Sequence, residues 1–477
     1  MPQLRPRFML AREPQQVMQF VTSLRALADA RTGTLSGEDG KLTMRFRKRA
    51  PACDAGPLLG WLRSDETTRA IGFQATRSVR PADDPIYGDT TDHHLVLGPT
   101  GSGKTRSIVI PGILDHRGSM VVVDVKGELF RTTRRHAEHG GRQVMLIDPF
   151  GLLPEYKAIG VDLLQSVAEA DDPASAARCV AESFSPTDGG RDMFWSSSGN
   201  SLLAAAIHDA ATRRGRLGDG PRSFSDVIDL LTGDDVVYSI ARMLDNDATI
   251  PAEAHRGFAT FLQMPEITRG GVLASAQAPL RLLSGRGLRQ ALSAGDVDLA
   301  SLTRGDEVAI YIAWPPTALK SHGPALRLML SVFLDAIFRR TAPPSRSTLF
   351  MVDEAGTIGP VPQIETAFTL ARGYGCRVTA VFQSIHQLEE CYGAAGRTVF
   401  DNAGTISVLP PSNARSAQEI AGLLGIGEQQ LMALGPDEAL VACRRQQPRI
   451  VRRPDYLLDA RFAGQWDDPR APPGRRR

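Results

Sequence analysis

No stretch of the 477-residue chain approaches the roughly 18 consecutive apolar residues of a membrane-spanning helix, so a bilayer anchor is not expected in it. Its start, MPQLRPRFMLAREP, has no long apolar core and no small-residue cleavage site, which argues against a secretory leader. Cysteine is scarce. Cys53, Cys179, Cys376, Cys391 and Cys443 are scattered, odd in number and never in C-x-x-C spacing. That argues against a disulfide framework or a zinc site and fits a reducing cytosol. Net charge is small as well, at +2, but it hides a segregation. Residues 1–80 hold 14 Lys/Arg against 7 Asp/Glu, and residues 444–477 hold 10 Arg against 4 Asp, which leaves the middle at −11. Basic ends of this kind bind nucleic acid or anionic lipid, or are simply solvated surface.

With 42% hydrophobic and 23% charged residues, the composition is that of a globular chain with two or three domains. Short β-branched runs recur at 93–97, 119–124, 143–148, 308–313, 348–353, 377–382, 405–409 and 439–443. They are nearly continuous in apolar character, as strands buried on both faces of a parallel sheet are. Helix-like segments such as HGPALRLMLSVFLDAIFRR lie between several of them. The alternation reads as an α/β fold. From 166 to 299 the strand signal gives way to helical spacing, which suggests an all-α insertion dividing a sheet domain into 86–165 and 300–443. In residues 1–85, RFML, PQQVMQFVTSLRALADA and KLTMRFR suggest a small β-α-β piece, an α+β element of its own. Beyond 444 the chain is rich in Arg and Pro, and 444–477 is expected to be a flexible tail.

Within HHLVLGPTGSGKTRSIVIPGIL, the stretch Gly98-Pro99-Thr100-Gly101-Ser102-Gly103-Lys104-Thr105 satisfies G-x-x-x-x-G-K-[ST]. The glycines let backbone N–H groups converge on phosphates, Lys104 neutralises the β/γ oxygens, and Thr105 offers its hydroxyl to Mg²⁺. Such a site needs a carboxylate at the end of a neighbouring strand, and STLFMVDEAGTIG supplies Asp353 for Mg²⁺ and Glu354 as the base that polarises water. ATP and Mg²⁺ are the implied cofactors. Lys104 and Asp353 are 249 residues apart, far more than a minimal βαβ unit needs, so other strands and the helical insertion must lie between them. RVTAVFQS ends a strand on Gln383, either a γ-phosphate contact or an ordinary strand-end amide. TLARGYGCR offers Arg372 and Arg377 around a glycine turn; each is a surface arginine or one that reaches a neighbouring subunit's ATP. Asp124, Lys126 and Glu128 in VVVDVKGELF follow the second strand, as a second polar layer, an inter-subunit contact or a local salt bridge.

Taken together and in this order, GPTGSGKTRSIVIPGIL, SMVVVDVKGELF, VMLIDPFG, FMVDEAGTIG, ARGYGCRVTAVFQSIHQLEECYG and FDNAGTISVLPPSNARSAQEIAGLLG resemble the conjugative coupling proteins of type IV secretion systems, the TraG/TraD family of DNA-pumping ATPases. MFWSSSGNSLLAAAI resembles the start of that family's helical insertion. The resemblance spans roughly 93–425. It implies a RecA-like P-loop NTPase core with a mostly parallel sheet, an inserted all-α domain that recognises cargo, and a hexameric ring. The ring would move single-stranded DNA with its attached relaxase into the secretion channel. It also implies nucleotide roles for Lys104, Thr105, Asp353, Glu354 and Gln383, and a trans-acting role for Arg372. Two departures stand out: the family's transmembrane anchor is not found, and its usual Asn after Ile-Pro is Gly112. The first leaves room for a cytoplasmic protein, or one held at the inner face of the bacterial cell membrane by a membrane-anchored partner. Two alternatives stand beside the DNA translocase: an ATPase that feeds protein effectors to the channel, and a non-hydrolysing cargo receptor.

Overall fold

A computed structural model of the chain describes residues 33–38, 41–46, 56–62, 84–184, 193–213, 223–283, 285–293 and 295–470. The chain divides into two compact units, Met1–Cys53 and Asp54–Arg477. In the first, β1 (Gly33–Glu38) pairs antiparallel with β2 (Lys41–Phe46), Gly33 opposite Phe46 and Glu38 opposite Lys41. The strand expected at KLTMRFR is therefore present. Those expected at RFML, and the helix after it, lie outside the described residues.

The second unit contains one eleven-stranded sheet. Its strands are β3 (Leu58–Trp61), β4 (Pro85–Tyr87), β5 (His94–Leu97), β6 (Met120–Asp124), β7 (Gln143–Ile147) and β8 (Val308–Ala313). They continue with β9 (Thr348–Val352), β10 (Cys376–Phe382), β11 (Thr405–Val408), β12 (Glu438–Cys443) and β13 (Arg449–Arg452). The spatial order is β4-β3-β13-β12-β11-β5-β10-β9-β6-β8-β7. From β11 to β7 every neighbouring pair is parallel, whereas β12, β13, β3 and β4 extend the sheet antiparallel.

The apolar runs are continuous because both faces are covered. Val121 and Val123 of β6 join one hydrophobic cluster with Ile310 and Ile312 of β8. Met120 and Val122 join the cluster on the other face with Ala309 and Tyr311. Side chains alternate along a strand, so a strand covered on both sides has no polar positions left. All eight strand runs read from sequence are strands here.

Between β7 and β8 the chain is helical from Leu163 to Arg304 among the described residues. Its centre is the helix Met193–Thr212, buried over most of its length. Small residues permit that. A Cβ on Gly199 would meet Ser275 Cβ at 2.9 Å, and one on Gly257 would meet Ala205 Cβ at 2.7 Å, so helices cross there at close range. The helices expected over 166–299 begin at Leu163 and end at Arg304, and they belong to the same compact unit as the sheet.

Two boundaries differ from expectation. β3 and β4 are strands of the large sheet, so the sheet unit begins near Asp54 and not at 86. Residues 444–470 do not trail off either. β13 pairs with β12 and meets β3 at Arg452 opposite Trp61. Buried Val451, Tyr456 and Phe462 tie the following segment to the core, and Phe462 packs against Trp61. The arginines that made this stretch read as a polyanion tether are in part committed internally. Arg452 pairs with Asp459 at 2.9 Å, and Arg461 pairs with Asp115 and Tyr87. Average composition hid a few well-spaced apolar anchors. The terminal Arg triplet lies outside the described residues.

Candidate nucleotide site

A parallel sheet brings the C-terminal ends of its strands to one edge. β5 ends at Leu97, and the chain turns at once into Gly98, whose N–H bonds Phe382 O at the end of β10 (3.2 Å). Gly101 (φ +78°) and Gly103 (φ +86°) adopt left-handed conformations that a side chain would strain. The loop enters a wide, π-type turn over Thr105–Val109 and then the helix Ile110–Asp115. Lys104 is buried, with its ammonium donating to Gly98 O (2.6 Å) and Pro99 O (3.0 Å). Burial lowers its pKa, while Glu354 and Asp353 pull it back up.

Asp353 follows β9 directly. It is buried, and its Oδ2 accepts from Thr105 Oγ1 at 3.3 Å. Burial first, then the neighbouring charges of Glu354 and Asp124, push its pKa up to about 6. A carboxylate disfavoured in this way, beside a hydroxyl and a lysine, is suited to a divalent cation that would relieve its charge. Among the described residues, no group of three or more His, Cys, Asp or Glu could hold a metal by itself. Magnesium fits such a sparse donor set, because it is held through one or two carboxylates plus phosphate oxygens.

Glu354 has φ 58° and ψ 38°. It shares positive φ with only one other non-glycine among the described residues, Arg445. Left-handed geometry costs an ordinary side chain about 1–2 kcal/mol, so the surrounding structure must enforce it. The effect is to aim the carboxylate across the strand ends. Glu354 Oε2 accepts from Gln383 Nε2 (3.2 Å), and Gln383 Oε1 accepts from Thr100 Oγ1 (3.1 Å). A polar relay thus runs from the phosphate loop through the end of β10 to the end of β9. Gln383 N–H in turn donates to Gln387 Oε1 at 2.8 Å. Sequence reasoning missed Gln387. It lies four residues beyond Gln383, in the helix Ile385–Tyr392, and carries no local motif of its own.

Asp124 ends β6 and is buried, with burial pushing its pKa up to about 6. It accepts from the backbone N–H of Lys126 (3.2 Å) and Phe130 (2.9 Å). The local salt bridge considered for VVVDVKGELF is therefore not how Asp124 is used. It organises the turn into the helix Glu128–His139 and acts on Asp353 through space. Lys126 is exposed and also acts on Asp353 and Lys104 through space, and Glu128 opens the helix.

Arg372 lies elsewhere. It sits in the turn Ala371–Tyr374 before β10 and pairs with Asp92, just before β5. Both belong to the opposite edge of the sheet, and the seven residues of β10 separate that edge from Gln383 by roughly 20 Å. Arg372, Asp89, Asp92, Arg444 and Arg445 line a cavity of about 290 Å³ there. Arg377 is buried in β10 with Nη2 2.8 Å from His116 Nδ1, so it is no candidate for reaching another subunit. Sequence reasoning also missed Arg453, which touches the phosphate loop from 351 residues away with no local signal.

Comparison with known proteins decides the family. Residues 59–427 match the family described as Type IV secretory system Conjugative DNA transfer. The chain belongs to this family. Among curated relatives, the conjugal transfer protein TraG of Rhizobium radiobacter is 25% identical over 337 residues, 70% of this chain and 52% of that protein. Protein VirD4 of Agrobacterium fabrum is 27% identical over 351 residues, 70% of this chain and 49% of that protein. The chain thus spans about half the length of the curated relatives it matches. Among solved structures, the plasmid coupling protein TrwB in complex with ADP and Mg²⁺ aligns with a TM-score of 0.60. It is 19% identical, covering 84% of this chain and 96% of that one. The sulphate complex of TrwBdeltaN70 aligns with a TM-score of 0.61 at 17% identity, covering 85% and 95%. These neighbours support the RecA-like P-loop fold.

Proposed function

We propose that the protein is a coupling ATPase of conjugative transfer. It binds ATP with Mg²⁺ and uses hydrolysis to deliver single-stranded DNA, with its relaxase, to a type IV secretion channel. The observation that carries this reading is the meeting of Lys104, the Thr105–Asp353 contact and the Thr100–Gln383–Glu354 relay at the ends of β5, β9 and β10, in a chain of the conjugative DNA transfer family.

In this reading the loop Gly98–Thr105 holds the phosphates by its N–H groups and Lys104 neutralises them, while Thr105 and Asp353 hold the Mg²⁺. Magnesium supplies charge neutralisation across the phosphates. Glu354 takes a proton from the attacking water, and Gln383, hydrogen-bonded to both Glu354 and Thr100, couples the base to the loop. Arg372 faces away from its own site and acts on the ATP of the next subunit in a homo-oligomeric, hexameric ring. The helices between β7 and β8 recognise cargo. Among the described residues no helix is long and apolar enough to cross a membrane. In this reading the protein works in the cytoplasm or at the inner face of the cell membrane, beside channel components or a membrane-anchored partner.

The test is ATP turnover with and without single-stranded DNA. Several-fold stimulation that disappears in Glu354→Gln is expected. Turnover indifferent to DNA but stimulated by a secreted protein would replace the DNA reading with the effector-coupling one, and no turnover in any oligomeric state would leave a cargo receptor.

A further inference from the structure

The turn after β13 reaches the phosphate loop from behind. Arg453 Nη1 donates to Ser102 O at 2.6 Å, and Nη2 donates to Pro436 O. The two nitrogens stand 3.7 and 3.8 Å from where a Cβ on Gly103 would be, so the guanidinium is in contact with that glycine. The arginine is held there by a built turn. Its own N–H bonds Asp437 O (2.8 Å). Two residues on, Asp455 takes both Nε and Nη2 of Arg106, the residue after the loop's Thr105. Buried Asp459 then accepts from Asp455 N–H (2.7 Å), Arg452 Nη1 (2.9 Å) and Trp61 Nε1 (2.8 Å).

A trans peptide directs its C=O and N–H to opposite sides, and no described peptide bond is cis. A donor fixed on Ser102 O therefore turns Gly103 N–H away from Arg453. Drawing electron density to that carbonyl also makes the same peptide's N–H a stronger donor. A cation behind the loop adds to the field that attracts an anion in front of it.

We propose that Arg453 is a positioning residue for the phosphate loop, fixing the Ser102–Gly103 peptide so that Gly103 N–H serves a bound diphosphate. β13 and its turn are thereby part of the nucleotide site. The inference rests on the reading of Gly98–Thr105 as a phosphate cradle. It assigns function to a segment whose sequence reads as a basic tail.

The experiment uses the full chain with Mg²⁺, a fluorescent ADP as probe, and pyrophosphate as a displacing ligand. Arg453→Met should weaken both by the same factor, about tenfold, as expected for loss of one charge-assisted bond. Arg453→Lys, which keeps a charge and a donor, should recover most of that loss. The ligand-free melting temperature should stay within about 2 °C of the parent in both variants. A loss confined to ADP would make Arg453 a nucleoside contact and overturn the proposal. Unchanged affinity would overturn it too, as would a common fall in melting temperature with no recovery in the lysine variant. Lys104→Ala separates the two levels of the argument. If the parent binds neither probe, or binds both independently of Lys104, the phosphate cradle itself is wrong and the role of Arg453 falls with it.

Discussion

The two edges of the parallel sheet hold similar residue types in opposite arrangements. At the edge where β5, β9 and β10 end, Lys104 is buried, Asp353 is bonded to Thr105, and Gln383 joins Glu354 to Thr100. At the other edge, Arg372 rests on Asp92 beside exposed Arg444 and Arg445, in a cavity open enough for water. The first edge is assembled within one chain. The second presents cations about a strand's length from the phosphate loop of the same chain. In the head-to-tail ring proposed above, the arginines of one back edge would meet the nucleotide at the next subunit's front edge.

The largest effect should come from the front edge. Lys104→Ala should abolish hydrolysis, and Glu354→Gln should retain fluorescent-ATP binding while slowing turnover about 100-fold or more. Turnover preserved in Glu354→Gln would remove that residue as the base and break the contrast between the edges. Next comes the back edge. Arg372→Ala subunits should bind ATP normally and hydrolyse it poorly, yet mixing them with Lys104→Ala subunits should restore part of the activity. In the mixed ring an intact loop meets an intact arginine from its neighbour. No recovery in rings shown to contain both subunits would confine Arg372 to its pairing with Asp92.

The smallest effect concerns stability. The Asp353 carboxyl has a folded pKa of about 6, above its ordinary value, so the folded protein holds that proton more tightly than the unfolded chain. Its contribution favours folding at low pH and is lost as pH rises from about 4 through about 6. Asp353→Asn should therefore raise ligand-free stability at pH 7.5, by order of 1–3 kcal/mol, and make little difference at pH 4. Thermal melts at the two pH values check the sign. The same substitution should weaken Mg²⁺-dependent nucleotide binding, which would mark the residue as a functional carboxylate kept at a cost in stability.

How legible each part was follows from how local its cause is. Gly98–Thr105 and Asp353–Glu354 could be read because a glycine turn after an apolar strand, and a carboxylate pair after another, carry their chemistry in adjacent residues. Thr105 and Asp353 meet because β5 and β9 both flank β10, a fact of strand order that spacing alone does not contain. Residues 444–470 were misread for the opposite reason. Arg and Pro set the average, while the structure turns on Val451, Tyr456 and Phe462 finding a core already built by distant strands.

By itself, then, the sequence determined the strands, the phosphate loop and its carboxylates, since these depend on side-chain periodicity and backbone freedom within a few residues. Only the tertiary structure decided which acceptor each arginine finds. Arg372, at the back because it precedes β10, pairs there with Asp92, 280 residues away, and Arg453 finds Ser102 of the phosphate loop, 351 residues away. An arginine's role depends on which acceptor the folded chain brings to it, and for these two residues that acceptor is hundreds of positions distant.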